Sequence, residues 1–272
     1  MSGKWVAVTS LRDSTASSEG GQLALQVENL ACRFGGVKAV DGASFHVRQG
    51  HITGIIGPNG AGKSTAVNVI CGNTAAHQGN VRLFGEEIRG MSPARIARLG
   101  LTRTFQKSSE FARLSVMENL LMGAPPTRGE WFFGALGPRS HWRQAERELV
   151  ERARQLLGDF ELEAHENSLA GELSGGQRRL VEIMRAIMGS PRMLVLDEPL
   201  AGVHGSNIAR ILRHIERLRE IGVTTLVIEH DLAALEQVCD DVIIMSQGRV
   251  IGQGFLRELL TRPEVIDAYA MG

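Results

Sequence analysis

The chain has 272 residues, enough to bury a large core in one domain or in a core with a subdomain. Hydrophobic residues make up 43% and charged residues 22%, and 30 basic side chains balance 30 acidic ones. This balance disfavours, without excluding, a protein that binds nucleic acid or anionic lipid through overall charge. Three widely spaced cysteines without a CxxC pair disfavour a disulfide framework and a zinc site.

The N-terminal part of the chain predicts a tail followed by strands. Residues 1–22 end in RDSTASSEGGQ, for which we predict a disordered tail. No apolar run is long enough to span a bilayer and no signal region is evident, so we expect a cytosolic chain. LALQVENLACRF alternates like a half-buried strand, and ASFHVRQGHITGIIG adds two more strands. A helix is expected from Gly62 to Gly72, whose glycine suits the C-terminal cap.

The middle of the chain is predominantly helical in pattern. SPARIARLG predicts a short helix with Ser92 as N-cap. The segment from Lys107 to about Leu173 is predicted to be mostly helical, and Ser115 and Glu118 form a capping box within it. The Pro- and aromatic-rich loop of residues 124–142 either folds back by burying its rings or docks a partner.

Strands and helices alternate again after this block, through RMLVLD, IARILRHIERLREIG, VTTLVIEH and DVIIMSQGRVIGQG. Apolar strands alternating with amphipathic helices predict an α/β fold with a mainly parallel sheet that is covered on both faces. The helical block interrupts this core.

A phosphate-binding loop lies between a predicted strand and a predicted helix, where GPNGAGKST matches GxxxxGK[ST]. Its glycines let backbone N–H groups converge on phosphates, and the helix N-terminus adds partial positive charge. Lys63 can reach the β- and γ-phosphates, and the Ser64 hydroxyl is placed for Mg²⁺. The residues expected to hold the phosphates are Gly57, Pro58, Asn59, Gly60, Ala61, Gly62, Lys63, Ser64 and Thr65.

Two acids follow the apolar run MLVL. Asp197 ends this predicted strand and is expected to hold Mg²⁺, as an acid at the end of a second buried strand does in phosphate-loop proteins. Glu198 can orient or polarise the attacking water, because proton transfer there needs a base. These residues are compatible with several classes of phosphate-loop protein, including kinases, GTPases and motor proteins.

The stretch LSGGQRRLVEIMRAIMG distinguishes between these classes of phosphate-loop protein. Ser174 and Gln177 form a capping box at a helix start. A cap does not need Gly175 and Gly176 between its partners, since glycines cost helix stability. Glycines at a helix N-terminus permit close approach of an anion, so we predict a second phosphate-binding end.

With the Walker A loop, TFQ, LSGGQ, the Walker B LVLDEP and VIEHD in order, the chain resembles the nucleotide-binding subunits of ATP-binding cassette (ABC) transporters. The resemblance runs from about Leu23 to the C-terminus. It implies one ABC domain over residues 23–272: a P-loop NTPase core with a β-rich N-terminal subdomain and an α-helical subdomain inserted at roughly 107–173.

The resemblance also implies roles at matching positions. Phe34 would stack on adenine, and Gln106 would be the lid glutamine that contacts Mg²⁺ or water. His230 would sense the γ-phosphate, and Glu198 would be the catalytic base. The implied catalytic residues are Glu198, His230, Gln106 and Lys63, and those implied for Mg²⁺ are Ser64, Gln106 and Asp197.

In this family two ATPase subunits face head to tail, so residues 174–177 would serve the nucleotide of a partner. Closure on ATP and reopening after hydrolysis would drive the membrane subunits. The implied partners are a second ABC ATPase, identical or different, integral membrane permeases and, indirectly, a periplasmic or lipid-anchored solute-binding protein, with no nucleic acid. The implied location is the cytoplasmic face of a bacterial inner membrane.

GLTRTFQKSSEFARLSVMENLLMGA and the ending RPEVIDAYAMG resemble the ATP-binding subunits of branched-chain amino acid importers. Importers of urea, amides or other amino acids share the pattern, and a soluble ABC ATPase outside transport is a further alternative. His204 stands where the family usually has an aspartate that faces the other subunit. We expect the loop that contains His204 still to close at the subunit contact through its backbone. The alternatives are a site with altered activity or asymmetry, and a regulatory subunit with weak hydrolysis.

Overall fold

The computed structural model describes residues 22–104, 111–125, 139–203 and 205–270. The predictions for residues 1–22, for Gln106, for the loop 124–142 and for His204 lie wholly or mostly outside these ranges. The described residues form two compact units. The first, termed the core unit, takes its described residues from Met1–Leu101, Arg192–Glu198 and Leu212–Gly272; the second, termed the helical unit, takes them from Thr102–Pro191 and Pro199–Ile211.

An antiparallel sheet of four strands begins the core unit, in the order β2-β1-β4-β5. Its strands are β1 (Leu23–Phe34), β2 (Val37–Arg48), β4 (Gln78–Leu83) and β5 (Glu86–Glu87). The burial of β1 departs from strict alternation, because its pairing with β2 shifts register along the strand and leaves the adjacent Ala31 and Cys32 both buried.

A second sheet has six strands in the order β10-β9-β3-β8-β7-β6. They are β3 (Ile52–Ile56), β6 (Leu101–Arg103), β7 (Met193–Asp197), β8 (Thr224–Ile228), β9 (Asp241–Ser246) and β10 (Arg249–Gly254). β3 pairs in parallel with β8 and β9, and β7 in parallel with β8, whereas β10 is antiparallel to β9. Every residue of β3, β7 and β8 is buried, as expected for central parallel strands. The predicted α/β fold with a mainly parallel sheet is confirmed.

Helices lie between these strands or follow the last of them. They are α1 (Lys63–Ile70), α2 (Pro93–Arg98), α6 (Ser206–Glu220), α7 (Leu232–Val238), α8 (Leu256–Leu259) and α9 (Pro263–Ala270). The helices predicted for Gly62 to Gly72 and for SPARIARLG begin and end near the predicted signals. Gly72 follows α1 with φ of 74°, as its expected capping role requires. Ser92 is the N-cap residue of α2, although its side chain makes no capping hydrogen bond.

The helical unit contains α3 (Val116–Met122), α4 (Arg139–Asp159) and α5 (Gly175–Met188), with short 3₁₀ turns at Glu163–His165 and Ala170–Glu172. The predicted capping box of α3 is confirmed: Ser115 Oγ accepts from the Glu118 N–H at 3.1 Å, and Glu118 Oε2 accepts from the Ser115 N–H at 2.7 Å. Within the described ranges, no helix is both long and apolar enough to cross a membrane.

Candidate functional site

The phosphate-binding loop connects β3 to α1 by a path that only glycine can follow at two positions. Gly57 and Gly62 have φ of 148° and 97°. A Cβ at Gly57 would lie 2.0 Å from the carbonyl oxygen of Met245, and one at Gly62 would lie 2.3 Å from that of Ala39. The loop is therefore held against the backbone on both sides, by Met245 and by Ala39.

The N-terminus of α1 is open to an anion. Gly62 is its N-cap residue and provides no side-chain acceptor, and the first turn contains no acidic residue. The first N–H groups of a helix have no partner within it and carry partial positive charge. This end of α1 therefore has the chemistry of a phosphate-binding site.

Lys63 folds back over its own loop. Its Nζ donates to the carbonyl oxygens of Gly57 at 2.6 Å and Pro58 at 3.0 Å. Burial lowers the pKa of Lys63, and the nearby carboxylate of Glu198 opposes that shift. The loop cation and the acid after β7 are thus electrostatically coupled, although 135 positions separate them in the sequence (198 − 63).

Asp197 and Glu198 lie at the end of β7 in different environments. Asp197 is buried and registers with Ile228 of β8. Glu198 is partly exposed, has φ of 48° and donates its N–H to the Ile228 carbonyl at 2.9 Å. A left-handed conformation is uncommon for a residue other than glycine and costs roughly 1–3 kcal/mol. The neighbouring strand holds Glu198 in this conformation, which turns the chain at the sheet edge.

The motif VIEHD ends β8 at the same edge. Ile228 registers with Ile55 of β3 as well as with Asp197, so the three strand ends lie side by side. His230 is exposed there, and the Asp231 side chain caps α7 by accepting the Ala234 N–H at 3.0 Å. The structure thus brings the phosphate loop, both acids and His230 to one edge of the sheet, the carboxyl edge at which open α/β sheets bind ligands.

Phe34 lies at the end of β1, where the β1–β2 hairpin turns. Its side chain is 55% exposed, and that of Val37, its register partner, is 68% exposed. Large apolar side chains are usually buried, so an exposed ring at a strand end is available to stack on a planar ligand.

The LSGGQ motif begins α5 in the helical unit. The predicted capping box is confirmed: Ser174 Oγ accepts the Gln177 N–H at 3.3 Å, and Gln177 Oε1 accepts the Ser174 N–H at 2.9 Å. Gln177 Nε2 also lies 2.9 Å from His165 Nε2. The capping box thus occupies the N–H groups of Ser174 and Gln177 at this helix start.

Gly176 of LSGGQ has a packing role that sequence reasoning missed. A Cβ at Gly176 would lie 3.1 Å from Cβ of Asn207 on α6, whereas one at Gly175 would make only an ordinary contact of 3.4 Å with the Gly202 carbonyl oxygen. The motif therefore packs closely against residues 199–211, which belong to the same unit. No pattern in the sequence points to Asn207 as a neighbour.

The donor set suits a nucleotide-bound magnesium ion better than a metal site made by protein alone. Among the described residues, no group of three or more His, Cys, Asp or Glu side chains is arranged to hold a metal. Mg²⁺ bound with phosphates takes only one or two protein oxygens and fills its other positions with water and phosphate. The Ser64 hydroxyl and the Asp197 carboxylate are donors of this kind.

Comparison with known proteins places these features in a family. The family model of ABC transporters matches residues 40–201. The chain is 38% identical over 245 residues to the probable branched-chain amino acid transport ATP-binding protein LivG of Archaeoglobus fulgidus, covering 90% of this chain and 94% of that protein. It is 38% identical over 246 residues to the high-affinity branched-chain amino acid transport ATP-binding protein BraF of Pseudomonas aeruginosa, covering 90% and 96%.

A solved structure agrees with the sequence relatives. The ADP conformation of MJ1267, an ATP-binding cassette of an ABC transporter, aligns with a TM-score of 0.79 and 36% identity. The alignment covers 92% of this chain and 99% of that one. Similarity therefore extends over both units and not over the phosphate loop alone.

Proposed function

Since the chain belongs to the ABC transporter family, in which it is an ATP-binding and ATP-hydrolysing subunit, we propose that its transporter imports branched-chain or closely related amino acids. The observation that carries this substrate class is 38% identity over 90% of the chain to a protein named for branched-chain amino acid transport. A second such protein, from a different organism, matches equally well.

We propose that ATP binds to the core unit, through residues between Phe34 and Thr65. Phe34 stacks on adenine, and Gly57 to Thr65 surround the phosphates with backbone N–H groups. Lys63 exchanges its loop carbonyl acceptors for phosphate oxygens, which form stronger, charge-assisted hydrogen bonds. The uncapped start of α1 supports this assignment, because it leaves the N-terminal charge of that helix to the ligand.

Hydrolysis is proposed to depend on Glu198. Its carboxylate orients a water molecule and accepts the proton as the water oxygen bonds to the γ-phosphorus and the bond to the bridging oxygen of ADP breaks. Lys63 stabilises the charge on the phosphoryl oxygens, and His230 contacts the γ-phosphate. Mg²⁺ would neutralise phosphate charge, and the residues proposed to hold it are Ser64, Asp197 and Gln106.

A second ATPase subunit is proposed to complete the site. Ser174 to Gln177 would face the nucleotide of that subunit, and ATP-driven closure would move the attached permeases at the cytoplasmic face of the membrane. A solute-binding protein outside the membrane would deliver the amino acid. The role of His204 at the subunit contact stays a prediction.

Uptake of labelled leucine, with labelled urea as the comparison, tests this proposal in cells that carry either the natural chain or Glu198→Gln. Glu198→Gln should lower ATP turnover of the purified transporter complex at least about 100-fold, the contribution expected of a general base, while ATP affinity is kept. Leucine uptake should fall with it and urea uptake should not.

Glu86→Gln is the matched control, because this acid-to-amide change lies on the exposed strand β5 and should alter neither measurement. Unchanged turnover in Glu198→Gln would contradict the proposed role of Glu198. Loss of urea uptake with leucine uptake intact would contradict the proposed substrate.

A further inference from the structure

Glu229 is a buried acid at the carboxyl edge of the six-stranded sheet, and the proposed mechanism does not use it. Its side chain is only 2% exposed. It directly follows Ile228, which registers with Ile55 of β3 on one side and with Asp197 of β7 on the other. Glu229 therefore occupies the strand end between the phosphate loop and the two Walker B acids.

The hydrogen bonds of Glu229 include one from its backbone and one to its side chain. Its backbone N–H donates to the Ile55 carbonyl at 3.4 Å, which continues the β3–β8 ladder. Its carboxylate Oε2 accepts the backbone N–H of His230 at 3.2 Å. A buried carboxylate needs such donors, since burial without them is costly.

His230 is consequently restrained on both sides. The Glu229 carboxylate holds its N–H, and on the other side Asp231 caps α7 and anchors the chain to that helix. The imidazole itself is exposed. A side chain that must meet a phosphate needs a backbone held in one orientation, because a small misplacement of a reacting group lowers the rate strongly.

We propose that Glu229 is a positioning residue for ATP turnover, which acts by holding the backbone of His230 toward the nucleotide. This rests on the role of His230 in the proposed function. The interaction needs a hydrogen-bond acceptor and not a negative charge. Glutamine should therefore replace Glu229, whereas alanine should not.

A double-mutant cycle in the assembled transporter complex tests the proposal, with Glu229→Ala, His230→Ala and the double variant, together with Glu229→Gln. Glu229→Ala should lower kcat about tenfold, the scale of one lost positioning hydrogen bond, and leave the Kd for ATP within about twofold. Glu229→Gln should keep kcat close to that of the natural chain. In the His230→Ala background, Glu229→Ala should have no further effect on kcat.

Asp241→Asn is the matched control. Asp241 is also a buried acid of this sheet, but it lies at the opposite strand end, where it accepts from the Thr53 hydroxyl at 2.7 Å. This change should lower the melting temperature without changing kcat. A melting temperature measured for every variant separates loss of folding from loss of positioning.

Equal loss of kcat in Glu229→Gln and Glu229→Ala would overturn the proposal, as would additive effects of Glu229→Ala and His230→Ala. A normal kcat in Glu229→Ala beside an impaired His230→Ala would overturn it while leaving the proposed function intact. A normal kcat in His230→Ala would instead refute the role of His230 on which it rests.

Discussion

Two helices of this chain begin at glycine-rich motifs, but only one of them has side chains that cap its first N–H groups. α1 begins after Gly62, a left-handed glycine without a side chain to cap the helix. α5 begins after Ser174, which exchanges hydrogen bonds with Gln177 in a closed capping box. The first lies in the core unit and the second in the helical unit.

The first helix start, which has no side-chain cap, suits the proposed binding of this chain's own nucleotide, whereas the second is stabilised by its own side chains. Nothing on α1 competes with a phosphate for the helix end. In α5 the box uses the N–H groups of Ser174 and Gln177, which leaves a nucleotide the N–H groups of Gly175 and Gly176 and the serine hydroxyl. This division suits the proposed role of the motif, in which it meets a nucleotide when a second subunit approaches.

The largest expected effect comes from closing the open helix start. Gly62→Ala introduces a Cβ that would lie 2.3 Å from the Ala39 carbonyl oxygen, at φ of 97°. The loop must move, so ATP affinity should fall at least about 100-fold as the phosphate-binding N–H groups diverge. Isothermal titration calorimetry measures the change.

Gly50→Ala is the control, because Gly50 also has positive φ but no atom within 4 Å of an added Cβ. It should cost about 1–2 kcal/mol of stability from its backbone conformation and leave ATP affinity unchanged. Similar affinities in the two variants would show that close packing of the loop is not what holds its shape.

A smaller effect is expected at α5, where packing and nucleotide approach are two explanations for Gly176. Gly176→Ala should lower ATP turnover about fivefold, a cost on the scale of mild overpacking against Asn207. If packing is the reason, adding Asn207→Gly should restore turnover, because it removes the Cβ that lies 3.1 Å away.

Asn207→Ala keeps that Cβ and should restore less, which makes it the matched control for the rescue. Failure of Asn207→Gly to rescue Gly176→Ala would show that the glycine serves nucleotide approach instead. Steady-state ATPase assays on the natural chain and these three variants decide between the two explanations.

The smallest effect distinguishes the capping box of α5 from an equivalent box without a proposed role. Ser174→Ala and Ser115→Ala each remove the N-cap of one box in the helical unit, so each should lower the free energy of unfolding by about 1 kcal/mol. Only Ser174→Ala should also reduce ATP turnover. Urea unfolding and ATPase measurements test this, and equal turnover in the two variants would contradict a nucleotide role for Ser174.

Local signals predicted much of this molecule. Both capping boxes, the glycine after α1 and the apolar central strands follow from neighbouring residues, and the structure contains them. The sequence did not predict β4 and β5, because these short strands are largely exposed and polar. They exist through pairing: β4 is antiparallel to β1, across a long stretch of chain.

The sequence by itself determined the family, and it predicted the phosphate-loop chemistry and the two Walker B acids, because each depends on residue types at fixed short spacing. Tertiary structure alone decided that Gly62 lies close to the Ala39 carbonyl and that Gly176 lies against Asn207. It also brought Lys63 and Glu198 close enough to interact electrostatically. It also buried Glu229 beside His230. These facts depend on strand order and on which distant segments pack together, and no local pattern encodes such contacts.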